Sequence, residues 1–95
     1  MPLYVMSCRD KPNSLDVRMA AREAHLAYMT SLGDVVKLGG PYLDGQDQMV
    51  GSLIIVEAES LAHAHGISEK DPYRLAGLFE TVEITPFRAT LKNMG

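Results

Sequence analysis

Apolar residues come in short bursts along this chain, and their spacing switches between two periods. Leu3 to Cys8 (LYVMSC) is a β-prone run with apolar side chains at successive positions, as in a buried strand. Lys11-Pro12-Asn13-Ser14 interrupts it, and Ser14 is placed to cap a helix over Leu15 to Leu32. At about 100° per residue, Leu15, Met19, Leu26 and Met29 fall within about 40° of one direction, an amphipathic stripe expected to face a core. Gly33 ends that helix. Val35 to Leu38 reads as a second strand running into Gly39-Gly40-Pro41, and Asp44-Gly45-Gln46-Asp47 carries hairpin turn chemistry. Met49 to Ala58 is a third strand. Ser60 caps a shorter helix through about Glu69, with Gly66 weakening its middle. Asp71-Pro72 starts one more helical turn, closed by Gly77. Phe79 to Phe87 is the fourth strand, and Arg88 to Gly95 forms a polar tail with no assigned structure.

The order βαββαβ is that of the ferredoxin-like split βαβ fold, an α+β class with a four-stranded antiparallel sheet. No repeat or linker divides the chain, so residues 1–95 read as one domain. The strands carry apolar side chains on both faces: Leu53 and Ile55 oppose Ile54 and Val56, and Leu3 and Val5 oppose Tyr4 and Met6. Two helices cover only one face. The other face is expected to meet a second copy of the chain in a two-fold homodimer.

Composition narrows the function. Nine Lys+Arg against twelve Asp+Glu give a net charge of −3, which argues against a nucleic-acid partner. The longest aliphatic run, Leu53 to Val56, is far too short to span a membrane. Arg9, Asp10 and Lys11 directly follow the apolar start, unlike a secretory leader, and the single Cys8 rules out an internal disulfide framework. A cytoplasmic setting is expected.

Candidate chemistry centres on the long helix. Arg22 falls within its apolar stripe, between Met19 and Leu26, where a guanidinium needs a carboxylate, a bound anion or a route to water. Arg18, Arg22 and His25 share a flank at i, i+4, i+7 spacing. Either they cover the core edge, or they edge a pocket where His25 exchanges protons and an arginine holds an anionic or phenolic group. Asp71 reads as a helix cap, yet a capping carboxylate can also orient an imidazole. Gly39-Gly40-Pro41 allows a ligand close to the backbone or simply makes a turn, and Ser52 interrupts the apolar run of the third strand. His63 and His65, about 200° apart on a helix, cannot share a metal. No phosphate-binding glycine motif supports a nucleotide, so neither metal nor cofactor is expected.

Taken in order, these segments resemble the YCII-like (YciI-related) family. The opening LYVM, Arg22-x-x-His25-Leu26, Gly40-Pro41 and Gly51-Ser52 are similar to its motifs. The most specific match is Asp71-Pro72-Tyr73-x-x-Ala76-Gly77-Leu78-Phe79-Glu80, followed by Val82-x-Ile84-x-Pro86-Phe87. The second helix departs from the family pattern through Gly66 and its histidines. The resemblance implies a dimeric ferredoxin-like α+β barrel with a pocket centred on His25 and Asp71 and lined by Gly40, Pro41, Ser52, Arg22 and Tyr73. Where the family has an assigned reaction, it is loss of chloride from a hydroxylated aromatic ring, and wider relatives include lactone isomerases. The expected function is therefore cofactor-free acid–base chemistry, an elimination or isomerisation, on a small hydroxylated substrate. The alternative is a non-catalytic module that binds a metabolite or a protein partner.

Overall fold

A computed structural model describes residues 1–93; the last two residues of the expected tail, 94 and 95, lie outside the described residues. The chain forms β1 (Leu3–Asp10), α1 (Leu15–Leu32), a 3-10 turn (Gly33–Val35), β2 (Val36–Leu43), β3 (Met49–Glu57), α2 (Leu61–Glu69), α3 (Pro72–Leu75) and β4 (Phe79–Phe87). The four strands make one sheet in the order β2-β3-β1-β4, antiparallel at every pairing. This is the α+β, ferredoxin-like arrangement expected from the pattern.

Alternation sorts the side chains. Tyr4, Met6, Ile54 and Val56 point to the helices and form the core with Ala58, Ala64 and Ile67, while Met29, Leu32 and Ile84 pack against its edge. On the opposite face Leu3, Val5 and Ser7 of β1 lie beside Glu57, Ile55 and Leu53 of β3 and Phe87, Thr85 and Glu83 of β4. No element of the described residues covers that face with a second layer of helices. A polar group interrupts it: Arg9 lies 4.1 Å over the Tyr42 ring, whose hydroxyl hydrogen-bonds Ser7 at 2.9 Å.

Two local readings change. β2 runs on through Gly39-Gly40-Pro41 instead of ending there, because it is an edge strand, where a proline forfeits no ladder bond the sheet needs. The hairpin behind it is the expected one, with Asp44 Oδ1 accepting from the N–H groups of Gln46 and Gln48. The second correction concerns α1. Leu15, Met19 and Leu26 are exposed, Met19 by 51%, and Arg22 is exposed with them. The buried residues of α1 are Arg18 and His25. The helix is thus rotated by about a quarter turn from the side its apolar spacing favours. Both inward polar groups find charged partners, which removes most of the penalty for burying them. Ser14 occupies the N-cap position of α1, yet its hydroxyl donates to Pro12 O and caps nothing. Ser60 does cap α2, accepting from His63 N. Among the described residues no helix is long and apolar enough to cross a membrane.

Gly51 marks a point of close approach. A Cβ there would run into the carbonyl oxygen of Cys8 and come within 2.9 Å of the Tyr42 ring. Gly51→Ala is therefore expected to cost about 1–3 kcal/mol in chemical denaturation, since the obstacle is backbone that must shift. Cys8 is buried as well. Burial pushes its thiol up from 9.0 to about 12, reinforced by the nearby Asp71 charge. The unfolded chain thus ionises first, so this thiol's contribution to stability is complete below pH 9 and is lost as pH rises towards 12. Native protein is expected to resist thiol reagents at about pH 8 and to react fully once unfolded; fast labelling of the folded protein would contradict this burial.

Candidate active site

The carboxylate of Asp71 is built into the start of α3. Its Oδ1 accepts from Tyr73 N at 2.9 Å as the N-cap, with Pro72 at the first helical position. The same oxygen meets His25 Nδ1 at 2.8 Å, joining α1 to a turn 46 residues later. A carboxylate only accepts, so Nδ1 carries a proton, and in the neutral ring it is Nε2 that keeps the lone pair. His25 is 8% exposed and Asp71 3%. Nε2 has no hydrogen-bond partner, yet no buried side-chain nitrogen or oxygen of the described residues is unpartnered, so Nε2 reaches the solvent-facing edge of the site.

A second pair lies two helical turns away on α1. Arg18, 2% exposed, donates from Nε to Asp10 Oδ2 at 2.8 Å and from Nη2 to Asp10 Oδ1 at 3.0 Å. Nη2 also donates to Ser52 Oγ at 2.9 Å. Burial alone would lower the guanidinium's pKa, but the bond to Asp10 and its charge outweigh that and hold it above the ordinary value. Between the pairs sits Tyr73, stacked on His25 with centroids 3.9 Å apart and planes 15° from parallel. The Arg18 guanidinium carbon lies 4.6 Å from the centroid of the same ring. Asp10, Arg18, Ser52, Tyr73, His25 and Asp71 thus form one connected polar cluster inside the protein.

Of the residues singled out in the sequence, His25, Asp71, Tyr73 and Ser52 come together in this cluster. Pro41 stands opposite Ser52 in the β2–β3 register but is exposed, and Gly40 sits opposite Leu53 with open space where a Cβ would be. Arg22 is exposed at the rim, with its charge still felt by the Tyr73 phenol. The arginine inside is Arg18, and Asp10 is its partner. Apolar spacing favours Arg22 instead. The available signal for Arg18 was an acid ending the first strand together with the i, i+7 relation to His25. His63 is taken up locally, its Nδ1 accepting from Glu59 N. No group of three potential metal ligands occurs among the described residues. A recess of about 540 Å³ opens elsewhere, among Met1, Pro2, Leu3, Phe87, Arg88 and Lys92, and includes no member of the cluster.

Comparison with known proteins agrees with this architecture. The chain is 39% identical to Protein YciI of Escherichia coli over 90% of this chain and 96% of that protein. Its fold is similar to that of 5-chloro-2-hydroxyhydroquinone dehydrochlorinase (TftG) from Burkholderia phenoliruptrix, described in complex with 2,5-dihydroxybenzoquinone. That match has a TM-score of 0.86 and 36% identity, covering 90% of this chain and 93% of that one. A putative antibiotic biosynthesis monooxygenase from Bacteroides thetaiotaomicron shares the fold alone, with a TM-score of 0.60 at 10% identity over 99% of this chain and 93% of that one. The model of the YCII-related domain matches residues 2–88. The chain belongs to the YCII-related family.

Proposed function

We propose that this protein is a small enzyme in which His25 Nε2 moves protons on a hydroxylated, quinol-like substrate while Asp71 holds the imidazole. The observation that carries the reading is the 2.8 Å contact between His25 Nδ1 and Asp71 Oδ1, which leaves Nε2 as the open basic atom. Asp71 fixes the tautomer and offsets the charge that appears when Nε2 takes a proton. The dehydrochlorinase relative supports an elimination as the reaction class. In such a step Nε2 carries a proton from a substrate hydroxyl to the ring carbon bearing the halogen. A second hydroxyl then loses its proton, its electron pair forms a carbonyl, and halide leaves with the carbon–halogen pair. The sum is loss of HX, and the substrate's own electrons balance the reaction. Gly40, Pro41, Ser52, Tyr73 and Arg22 would line or rim the pocket, and no cofactor takes part in this scheme.

We also propose a homodimer formed through the uncovered face of the sheet. Leu53 and Ile55 share that face with Leu3 and Val5, and Leu38 and Phe87 extend it with 41% and 44% exposure. A partner on this face would remove an apolar surface from water.

Release of chloride from a chlorinated hydroxyhydroquinone tests the catalytic reading. His25→Ala is expected to lower the rate about 10²–10⁴-fold. Asp71→Asn keeps a good N-cap for α3 and removes only the charge, so it should lower the rate with little loss of stability. Saturable binding without turnover by the wild type would point to a binding module instead. For the assembly, sedimentation should give twice the chain mass for the wild type and one chain mass for Ile55→Glu. A monomeric wild type would overturn the dimer.

A further inference from the structure

The uncovered face of the sheet is divided along its strands. Toward one end Leu3, Val5, Ile55, Leu38 and Phe87 lie side by side, one or two from each strand. Toward the other end the strands carry Ser7, Arg9, Tyr42 and Glu83. Arg9 and Glu83 are exposed, and among the described residues neither forms an ion pair, whereas Lys37 and Glu57 at the apolar end stand 3.9 Å apart. Within the chain the two charges turn away from each other. Glu83 lies on β4, opposite Ser7. Arg9 reaches the other way across the sheet, and its guanidinium carbon stands 4.1 Å from the centroid of the Tyr42 ring. That ring is held in place. Its hydroxyl bonds Ser7 at 2.9 Å, and the ring crosses Gly51, where a Cβ would come within 2.9 Å of it. Tyr42 is thus a platform that fixes a cation on the β2–β3 half of the face.

A second copy can meet this face about a two-fold axis that runs along the strands or across them. An axis across the strands lays the polar end on the apolar end, pressing Arg9 and Glu83 onto leucine and phenylalanine side chains as unpaired charges. An axis along the strands matches apolar end to apolar end and polar end to polar end. It also reverses the strand order β2-β3-β1-β4, so the β2–β3 half of one copy faces the β1–β4 half of the other. The guanidinium on its tyrosine platform then faces the strand that carries the carboxylate in the second copy, and two long side chains bridge the roughly 10 Å between packed sheets. We propose that Arg9, held on Tyr42, pairs with Glu83 of the partner subunit, twice per dimer, and that this reciprocal pair selects the orientation in which two copies pack. It rests on the homodimer read above and adds to it the axis and the residues that set it. Complementary charge of this kind rejects the wrong alignment, because each misaligned copy leaves both charges buried without partners.

Sedimentation over a concentration series tests the pair with two charge reversals. Arg9→Glu and Glu83→Arg each set like charges against one another at both contacts, and each is expected to raise the dimer Kd at least about 100-fold. Mixed in equal amounts, with one carrying a mass tag, the two variants oppose unlike charges at both contacts. They are expected to form a heterodimer with a Kd within about tenfold of the wild type. A pair inside one chain cannot be rebuilt by mixing, so this recovery reports a contact between chains, and it also shows that both variants fold. Single reversals that dimerise like the wild type would overturn the pair, as would a mixture that stays monomeric while both variants keep the wild-type far-ultraviolet circular dichroism. A dimeric wild type indifferent to both reversals sinks the pair alone and leaves the homodimer standing. A monomeric wild type removes the homodimer and the pair with it.

Discussion

One carboxylate oxygen ties the molecule together. Asp71 Oδ1 accepts from the backbone that starts α3 and from the imidazole on α1, so a local cap becomes a long-range contact. Cap and orienting group are the same atom, and this constrains the rest. α3 fixes where the oxygen stands, and α1 must turn His25 inward to meet it. That rotation also brings Arg18 inside, where Asp10 at the end of β1 neutralises it. Tyr73, two residues after the cap, then fills the space between the two side chains.

The same rotation explains what the sequence did not reveal. Strand alternation, helix limits and turn residues could all be read from short-range pattern, and the Asp71-Pro72 start and Gly77 stop of α3 follow from local backbone chemistry. The orientation of α1 could not, because apolar spacing marks the buried side only when polar residues stay in water. Here two polar residues carry partners from distant segments, and those partnerships are tertiary facts. Arg22 lies within the apolar stripe, while Arg18, one turn earlier, is the arginine that turns inward. The full length of β2 escapes the local pattern for a related reason. Gly-Gly-Pro is a turn signal in isolation, but an exposed edge strand tolerates it.

The cluster places two charged-group pairs at different points along one helix. His25 meets Asp71, and Arg18, two turns earlier, meets Asp10. Asp10 and Asp71 each balance one of them, which lets the cluster persist inside a small core without unpartnered buried polar atoms among the described residues. The exposed apolar side of α1 and the uncovered face of the sheet stand apart from this cluster.

The most direct measurement is nitrogen NMR of His25 at a pH where its ring is neutral. The Asp71 contact requires the proton on Nδ1 and a bare Nε2, and replacing Asp71 with Asn should disturb that distribution. A neutral ring carrying its proton on Nε2, or a tautomer indifferent to residue 71, would contradict the role of this oxygen.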